Sequence, residues 1–136
     1  TYNEADVARL LIDAGIVRHR GKIEAVIHNA SRAIELQGEF GSLAKYFWNF
    51  EVDIHGRPKK LTTEVLRTFT TAPESIALSK DLKKRGWKFV GPTTMYAFMQ
   101  AMGLVNDHQH DCFVREVATA ARDELAITRP VKSSKS

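Results

Sequence analysis

Cysteine is nearly absent from the 136 residues, since Cys112 is the single one. One thiol cannot form an intrachain disulfide, so we expect a reducing compartment, the cytoplasm. Long apolar runs are also missing, and the sequence predicts no transmembrane helix. The first residues show no basic and apolar regions of a signal peptide and no initiator methionine, so a processed or truncated chain is expected.

Familiar catalytic motifs are absent as well. The sequence has no Ser/His/Asp arrangement, no phosphate-binding P-loop and no His-Glu metal helix. Asp107 follows a predicted helix, where a carboxylate suits either a cleft or the cap of the next turn. The composition, 43% hydrophobic and 26% charged, is that of one globular domain with a core of its own.

Apolar side chains recur at helical spacing along most of the chain, so we predict an all-α fold. The longest predicted helix covers residues 20–36, and it is followed by Gly38 and Gly41. Its predicted core stripe is Ile23, Val26, Ile27, Ala30 and Ile34. Residues 51–71 are predicted as a connection with extended pieces at 52–54 and 66–69. The other predicted helices cover residues 4–14, 42–50, 73–85, 93–103 and 115–127.

Two smaller features accompany these helices. Met95, Phe98, Met99 and Met102 fall at helical spacing and are predicted to face the core. Aromatic residues such as Tyr46, Trp48, Trp87 and Tyr96 are predicted to be core rather than base-stacking groups. Residues 128–136 are polar, basic and free of acids, and we predict a disordered tail.

Positive charge is concentrated in one stretch of the sequence. The whole chain carries a net charge of +4, and residues 79–91 alone hold five basic residues against one acid, Asp81. This concentration favours a localised anion-binding surface. A solvated helix end, where cations complement the helix dipole, is the alternative. The basic cluster at residues 18–22 suits a second phosphate contact or, more simply, a solvated turn.

A glycine-bounded connection from Gly86 to Gly91 joins two of the predicted helices. Such a hairpin aims backbone N–H groups outward, and the next helix adds its positive dipole end, so it can hold a phosphate without reading bases. An ordinary helix–helix turn is the alternative. We predict DNA-phosphate contacts from six residues: Gly86, Lys88, Val90, Gly91, Thr93 and Thr94.

His108 and Cys112 are spaced as an i, i+4 pair that could place two zinc donors together. A structural zinc site takes four ligands, and spacing alone favours a surface histidine with a buried free cysteine over a metal site. His55, His110 and Asp111 are the nearby residues available to complete a set.

Three blocks of the sequence, residues 13–23, 77–86 and 89–108, closely resemble DNA-3-methyladenine glycosylase I, a family of the helix-hairpin-helix glycosylase superfamily. The resemblance covers residues 1 to about 112, with the helix-hairpin-helix at about 76–103, and leaves residues 113–136 as a C-terminal extension. It implies base excision repair: 3-methyladenine is flipped out of double-stranded DNA and its N-glycosidic bond is hydrolysed.

The resemblance also implies a structural zinc, for which His108 and Cys112 match the two C-terminal ligands. The family's other two ligands, its base-pocket glutamate and its stacking aromatics lie in an N-terminal portion that has no counterpart here. No catalytic residue is therefore assigned, Asp107 included. We expect this chain to be an inactive or nearly inactive monomeric fragment of the enzyme; the alternative is a non-catalytic helix-hairpin-helix DNA-binding module.

Overall fold

The computed structural model describes residues 2–53 and 56–125, and every regular element within these ranges is helical. The all-α prediction is confirmed. None of the described helices is long and apolar enough to cross a membrane. The predicted disordered tail, residues 128–136, lies outside the described ranges. The helices are α1 (Glu4–Leu11), α2 (Arg20–Phe40), α3 (Leu43–Phe47), α4 (Thr63–Arg67), α5 (Pro73–Lys84), α6 (Pro92–Ala101) and α7 (Val114–Asp123), and a 3₁₀ turn (Trp48–Phe50) follows α3.

Helix α1 is shorter than the predicted 4–14. It begins after Asn3, whose side chain accepts hydrogen bonds from two N–H groups of the first turn. It ends at Leu11, and the N–H of Gly15 bonds to the carboxylate of Asp13 at 2.8 Å. Asp13 thus forms a local turn that competes with helix continuation, which is why residues 12–15 leave the helix.

Helix α2 is longer than predicted. It continues past Leu36 and through Gly38, and it ends where Gly41 takes a left-handed φ of 79°. The N–H of Gly41 then bonds to the carbonyl of Gln37 at 2.9 Å. Of the two glycines expected to end the helix, only Gly41 has the backbone conformation that stops one.

The predicted core stripe of α2 is wrong over most of its length. Ile23 is buried, but Val26 and Ile34 are each 70% exposed. The described elements that pack on α2 are mainly α1 and α3, and they cover only part of its circumference. The periodicity correctly identifies an apolar face of the helix, but that face is buried only where another element packs against it.

The connection between the 3₁₀ turn and α5 contains a helix where an extended piece was expected. Residues 66–69 include the end of α4, which begins after Thr62, whose hydroxyl accepts from the N–H of Val65. In the other expected piece, 52–54, the N–H of Val52 donates to the carbonyl of Leu104 at 3.1 Å. Residue 54 of that piece lies outside the described ranges. Short polar-capped helices of this kind escape periodicity because they span little more than one turn.

The core forms where α5 and α6 pack together and receive α3, the 3₁₀ turn and the end of α2. Pro73 and Pro92 each occupy the first turn of their helix, as predicted for Pro73. Met95 and Met99 are buried as expected, but Met102 at the end of the stripe is 58% exposed. The buried cluster comprises Leu36, Tyr46, Val52, Ala72, Leu78, Leu82, Val90, Met95, Tyr96, Met99, Leu104 and Val105.

Helix α7 belongs to the C-terminal extension and is tied to this body by polar contacts. Arg122 donates to the carboxylate of Glu51 at 2.7 Å and to the carbonyl of Leu104 at 3.3 Å. Asn106 donates to the carbonyl of Arg115 at 3.0 Å. The extension is therefore helical and docked as far as residue 123, close to the predicted 115–127.

Candidate nucleic-acid interface

Residues 85–91 form the hairpin between α5 and α6. Gly86 ends α5 with a left-handed φ of 83°, and its N–H bonds to the carbonyl of Lys83 at 3.0 Å. The N–H of Trp87 bonds back to the carbonyl of Leu82, also at 3.0 Å. These two bonds define a glycine-terminated helix end, so the chain turns sharply at the residue where the sequence predicted a stop.

Helix α2 clamps the hairpin from the side. The side-chain amide of Asn29 donates to the carbonyl of Lys88 at 2.8 Å and accepts from the N–H of Lys88 at 2.9 Å. His28 donates from Nε2 to the carbonyl of Gly86 at 2.8 Å. Sequence reasoning missed both residues, because a polar side chain inside a helix carries no signal that its partner is a peptide group almost 60 positions away.

The opening of α6 leaves N–H groups unused. Gly91 precedes the helix with φ −64° and ψ 160°, and a Cβ built on it would meet nothing within 4 Å. Within the described part of the chain, no acceptor lies in hydrogen-bonding range of the N–H groups of Gly91, Thr93 and Thr94. Pro92 has no N–H to satisfy. These donors therefore surround an open space at the positive end of a ten-residue helix.

The structure thus separates the six predicted phosphate contacts into two groups. The N–H groups of Gly86 and Lys88 are occupied by Lys83 and Asn29, so at these residues only the Lys88 side chain remains exposed. Val90 has a core side chain, 5% exposed, and its N–H has no acceptor among the described residues. The N–H groups without an acceptor among the described residues are those of Val90, Gly91, Thr93 and Thr94.

Four lysines make up the lysine patch next to the hairpin: Lys80, Lys83, Lys84 and Lys88. All four are exposed, and none has a carboxylate within 4.0 Å among the residues that the structure describes. Their charge is therefore available to an external anion. Unpaired lysines close together in the sequence are the kind of charge distribution that an anion-binding surface requires.

Arg85, the fifth basic residue of the stretch, is used inside the protein. It makes two bonds to Glu39, at 2.6 and 3.1 Å, and one to Asp81 at 2.8 Å, while Tyr46 donates to the same Asp81 at 2.7 Å. The bonds to Glu39 and Asp81 raise the pKa of Arg85. Burial works to raise the pKa of Asp81, but the bonds from Tyr46 and Arg85 outweigh it and hold that pKa below its usual value.

In the second basic cluster, residues 18–22, Arg20 and the His19 ring are engaged locally. Arg20 pairs with Glu4 at 2.8 Å and with Glu24 at 3.2 Å. The His19 ring accepts from the N–H of Lys22 at 3.2 Å and so caps α2. The structure therefore favours the simpler interpretation, a solvated and capped helix start.

Asp107 lies in a polar network of the described residues. Its carboxylate accepts from Arg57, from the Tyr96 hydroxyl at 2.5 Å and from Gln100 at 2.9 Å, and its side chain is 9% exposed. Burial and the bond to Asp107 raise the pKa of Tyr96 to about 12, so the hydroxyl stays a donor at neutral pH. A carboxylate with three donors is a structural anchor, consistent with leaving it out of any catalytic assignment.

The two candidate zinc ligands lie on the turn that leads to α7. His108 donates from Nδ1 to Asn106 at 2.7 Å, which leaves the Nε2 lone pair free for a metal, and Cys112 is half-buried with a free thiol. Within residues 2–53 and 56–125, however, no group of three or more His, Cys, Asp or Glu side chains could hold a metal. The described residues offer two suitable donors but do not form a complete zinc site.

Within the described residues the protein is helical, and unused backbone N–H groups and unpaired lysines lie at the hairpin between α5 and α6. The sequence model of the methyladenine glycosylase family matches residues 1–116. The chain therefore belongs to the methyladenine glycosylase family, as the resemblance of its sequence blocks implied.

Individual relatives agree with this assignment. The chain is 46% identical over 110 residues to DNA-3-methyladenine glycosylase 1 of Escherichia coli, covering 80% of this chain and 57% of the relative. It is 41% identical over 108 residues to DNA-3-methyladenine glycosylase of Haemophilus influenzae, covering 79% and 57%. A solved structure of 3-methyladenine DNA glycosylase I from Staphylococcus aureus superposes with a TM-score of 0.70 at 35% identity, covering 84% and 60%. The chain thus spans little more than half the length of these curated relatives.

Replacing Asn29 with alanine tests the clamp. The change removes both bonds to the Lys88 peptide and leaves that peptide without its partner, so we expect the free energy of unfolding to fall by about 1–3 kcal/mol. Urea denaturation measures this, and amide hydrogen exchange at Lys88 should quicken more than exchange in the middle of α5.

Asn49→Ala is the matched control, because the Asn49 amide makes a single exposed bond to the carbonyl of Lys45. We expect that variant to change stability by no more than about 0.5 kcal/mol. Equal effects of the two substitutions would contradict a specific role for the clamp.

Proposed function

We propose that this chain is the DNA-anchoring part of a 3-methyladenine DNA glycosylase that acts in base excision repair. In this proposal α5, the hairpin and α6 work as a helix-hairpin-helix motif that holds one strand of double-stranded DNA through its phosphates. The observation that carries the proposal is the set of unused N–H groups around the open space at Gly91, found in a chain of this family. The protein would act as a monomer in the cytoplasm.

The geometry suits a phosphate for two reasons. Gly91 has no side chain between its own N–H and solvent, so an anion can approach the backbone closely. The N–H groups of Thr93 and Thr94 begin α6 and share its positive dipole end. Both features recognise the strand without regard to base sequence, which is what a repair protein searching for rare lesions requires.

The lysine patch supplies the long-range attraction. Each lysine near a phosphate displaces condensed counterions, so affinity should fall steeply as salt rises. Because the Arg85 charge is already paired with Asp81 and Glu39, we expect the lysines to account for most of this salt dependence. The clamp from Asn29 keeps Lys88 at a fixed position beside the hairpin.

The proposed reaction demands little acid catalysis. An adenine alkylated at N3 is already cationic, and it is a good leaving group once it has been flipped from the duplex into a pocket. The chain would contribute by fixing the position of the strand from which the base is flipped. We propose that the pocket itself needs polypeptide beyond these 136 residues, because the chain covers 57% of its curated relatives.

We further propose that His108 and Cys112 belong to a structural zinc site shared with other polypeptide of the complete enzyme. The support is chemical: a half-buried thiol and an imidazole already oriented by Asn106 are the donor types that zinc takes in structural sites. A zinc there would tie the turn before α7 to whatever supplies the remaining ligands. Two donors alone should hold the ion weakly.

Replacing Gly91 with alanine tests the hairpin. The φ of −64° suits any L-residue and the added Cβ meets no protein atom, so stability should be unchanged or slightly higher. The same methyl group would occupy the phosphate position, and we expect affinity for an undamaged fluorescent duplex to fall at least about tenfold. The measurement is fluorescence anisotropy over a series of salt concentrations.

Gly38→Ala is its matched control, since Gly38 also has open space around its Cβ position but lies in α2 away from the hairpin. We expect it to raise stability by about 1 kcal/mol and to leave DNA affinity unchanged. The proposal that the hairpin binds DNA phosphates would be contradicted by wild-type binding that does not respond to salt. It would also be contradicted by a Gly91→Ala variant that binds DNA normally.

The chain alone should not excise bases. Incubation with duplex DNA containing 3-methyladenine, followed by chromatographic detection of the free base, should show at most trace release above the spontaneous rate. DNA binding without turnover is the expected result. A non-catalytic DNA-binding module would give the same result in this assay. Robust multiple turnover by these 136 residues would refute the incomplete pocket.

Zinc should be present at well below one ion per chain after dialysis, because only two donors are in place. Elemental analysis of the purified protein provides the measurement, and Cys112→Ala should remove the remainder. One tightly held zinc per chain would show instead that the chain completes its own site, with His110 and Asp111 as the first ligands to examine.

A further inference from the structure

Phe89, in the middle of the hairpin, combines two features that do not stabilise the unbound protein. Its φ is +56°, the one left-handed backbone among non-glycine residues in the described part of the chain. Its side chain is 59% exposed. A Cβ is strained in that backbone region, and an exposed aromatic ring regains little of the cost through packing.

The same hairpin shows that glycine is the natural solution to this strain. At its other left-handed position, φ 83°, the residue is Gly86. Glycine adopts such a conformation without steric cost. Position 89 nevertheless carries a large apolar side chain, which indicates that the ring itself has a use.

The neighbours of Phe89 determine where the ring lies. Lys88 is held to α2 through both its N–H and its carbonyl by Asn29. Val90, on the other side, is 5% exposed and belongs to the core cluster. With both neighbours anchored to the protein, the exposed ring of Phe89 stands on the outer surface, next in the chain to the exposed Lys88 and two residues before Gly91.

We infer that Phe89 is a DNA-contact residue whose ring packs against the deoxyribose next to the phosphate held by the hairpin. This inference rests on the proposed function and adds an apolar contact to it. Each deoxyribose presents C–H groups beside the charged phosphates. A strand whose phosphate is held by the hairpin therefore also offers an apolar surface close to that phosphate. The exposed, unpaired Lys88 beside Phe89 and the three unpaired lysines of the last turns of α5 favour a polyanion over an ordinary protein partner.

Phe89→Gly separates this role from a role in folding. We expect the variant to have an unchanged or higher melting temperature, because the left-handed strain is relieved. Its affinity for a short, undamaged, fluorescein-labelled duplex should fall about tenfold, as for loss of a partly buried phenyl group. The slope of affinity against salt should stay the same, since no charge is removed.

Two further variants complete the experiment. Phe89→Tyr keeps the ring and should bind within about twofold of the wild type. Phe113→Gly removes another exposed aromatic residue, 87% exposed and outside the hairpin, and should leave affinity unchanged. Normal DNA binding by Phe89→Gly would overturn the inference, as would a drop in its melting temperature, which would make Phe89 an internal packing residue.

The wild-type titration distinguishes the two levels of the proposal. Salt-independent or undetectable binding of wild type contradicts the proposed function itself and the inference with it. Strong, salt-dependent binding by the wild type that Phe89→Gly reproduces contradicts the sugar contact alone.

Discussion

The pair of hydrogen bonds between Asn29 and the Lys88 peptide is the constraint on which the candidate interface depends. Gly86 turns the chain out of α5, and Pro92 begins α6, but neither determines where the segment between them lies relative to the rest of the fold. Asn29 does so from α2, with His28 holding the carbonyl of Gly86. Together with the buried Val90, these two side chains hold the loop in one position, and such preorganisation lowers the ordering cost of binding an extended ligand.

The parts of the fold that were predictable are those marked by strong local chemistry. Pro73 and Gly86 bound α5 closely, and the Met95 and Met99 stripe faces the core, because turn residues and periodicity act within a few positions. Predictions failed where burial depends on a distant partner. Val26 and Ile34 continue an apolar face of α2, yet no local rule states which neighbour covers that face. Helix α4 was missed because five residues carry too little pattern.

The candidate site divides along the same line. Glycine, threonine and lysine near residue 91 were recognisable from residue type, and the resemblance to the family attached a ligand to them. The contributions of Asn29, Arg57 and Phe89 were not recognisable, because each depends on a contact or a backbone angle that only the folded chain creates. Asp107 shows the converse: its residue type and position suggested chemistry, and its three hydrogen-bond donors show that it holds structure together.

The confinement of Arg85 between Glu39 and Asp81 has a chemical consequence. With that guanidinium committed, the unpaired positive charge of residues 79–91 is carried by primary amines alone. Amines, unlike guanidinium groups, lose their charge on acetylation. Acylation of these four side chains would therefore neutralise the lysine patch, while the ion network of Arg85, Glu39 and Asp81 has no amine to lose.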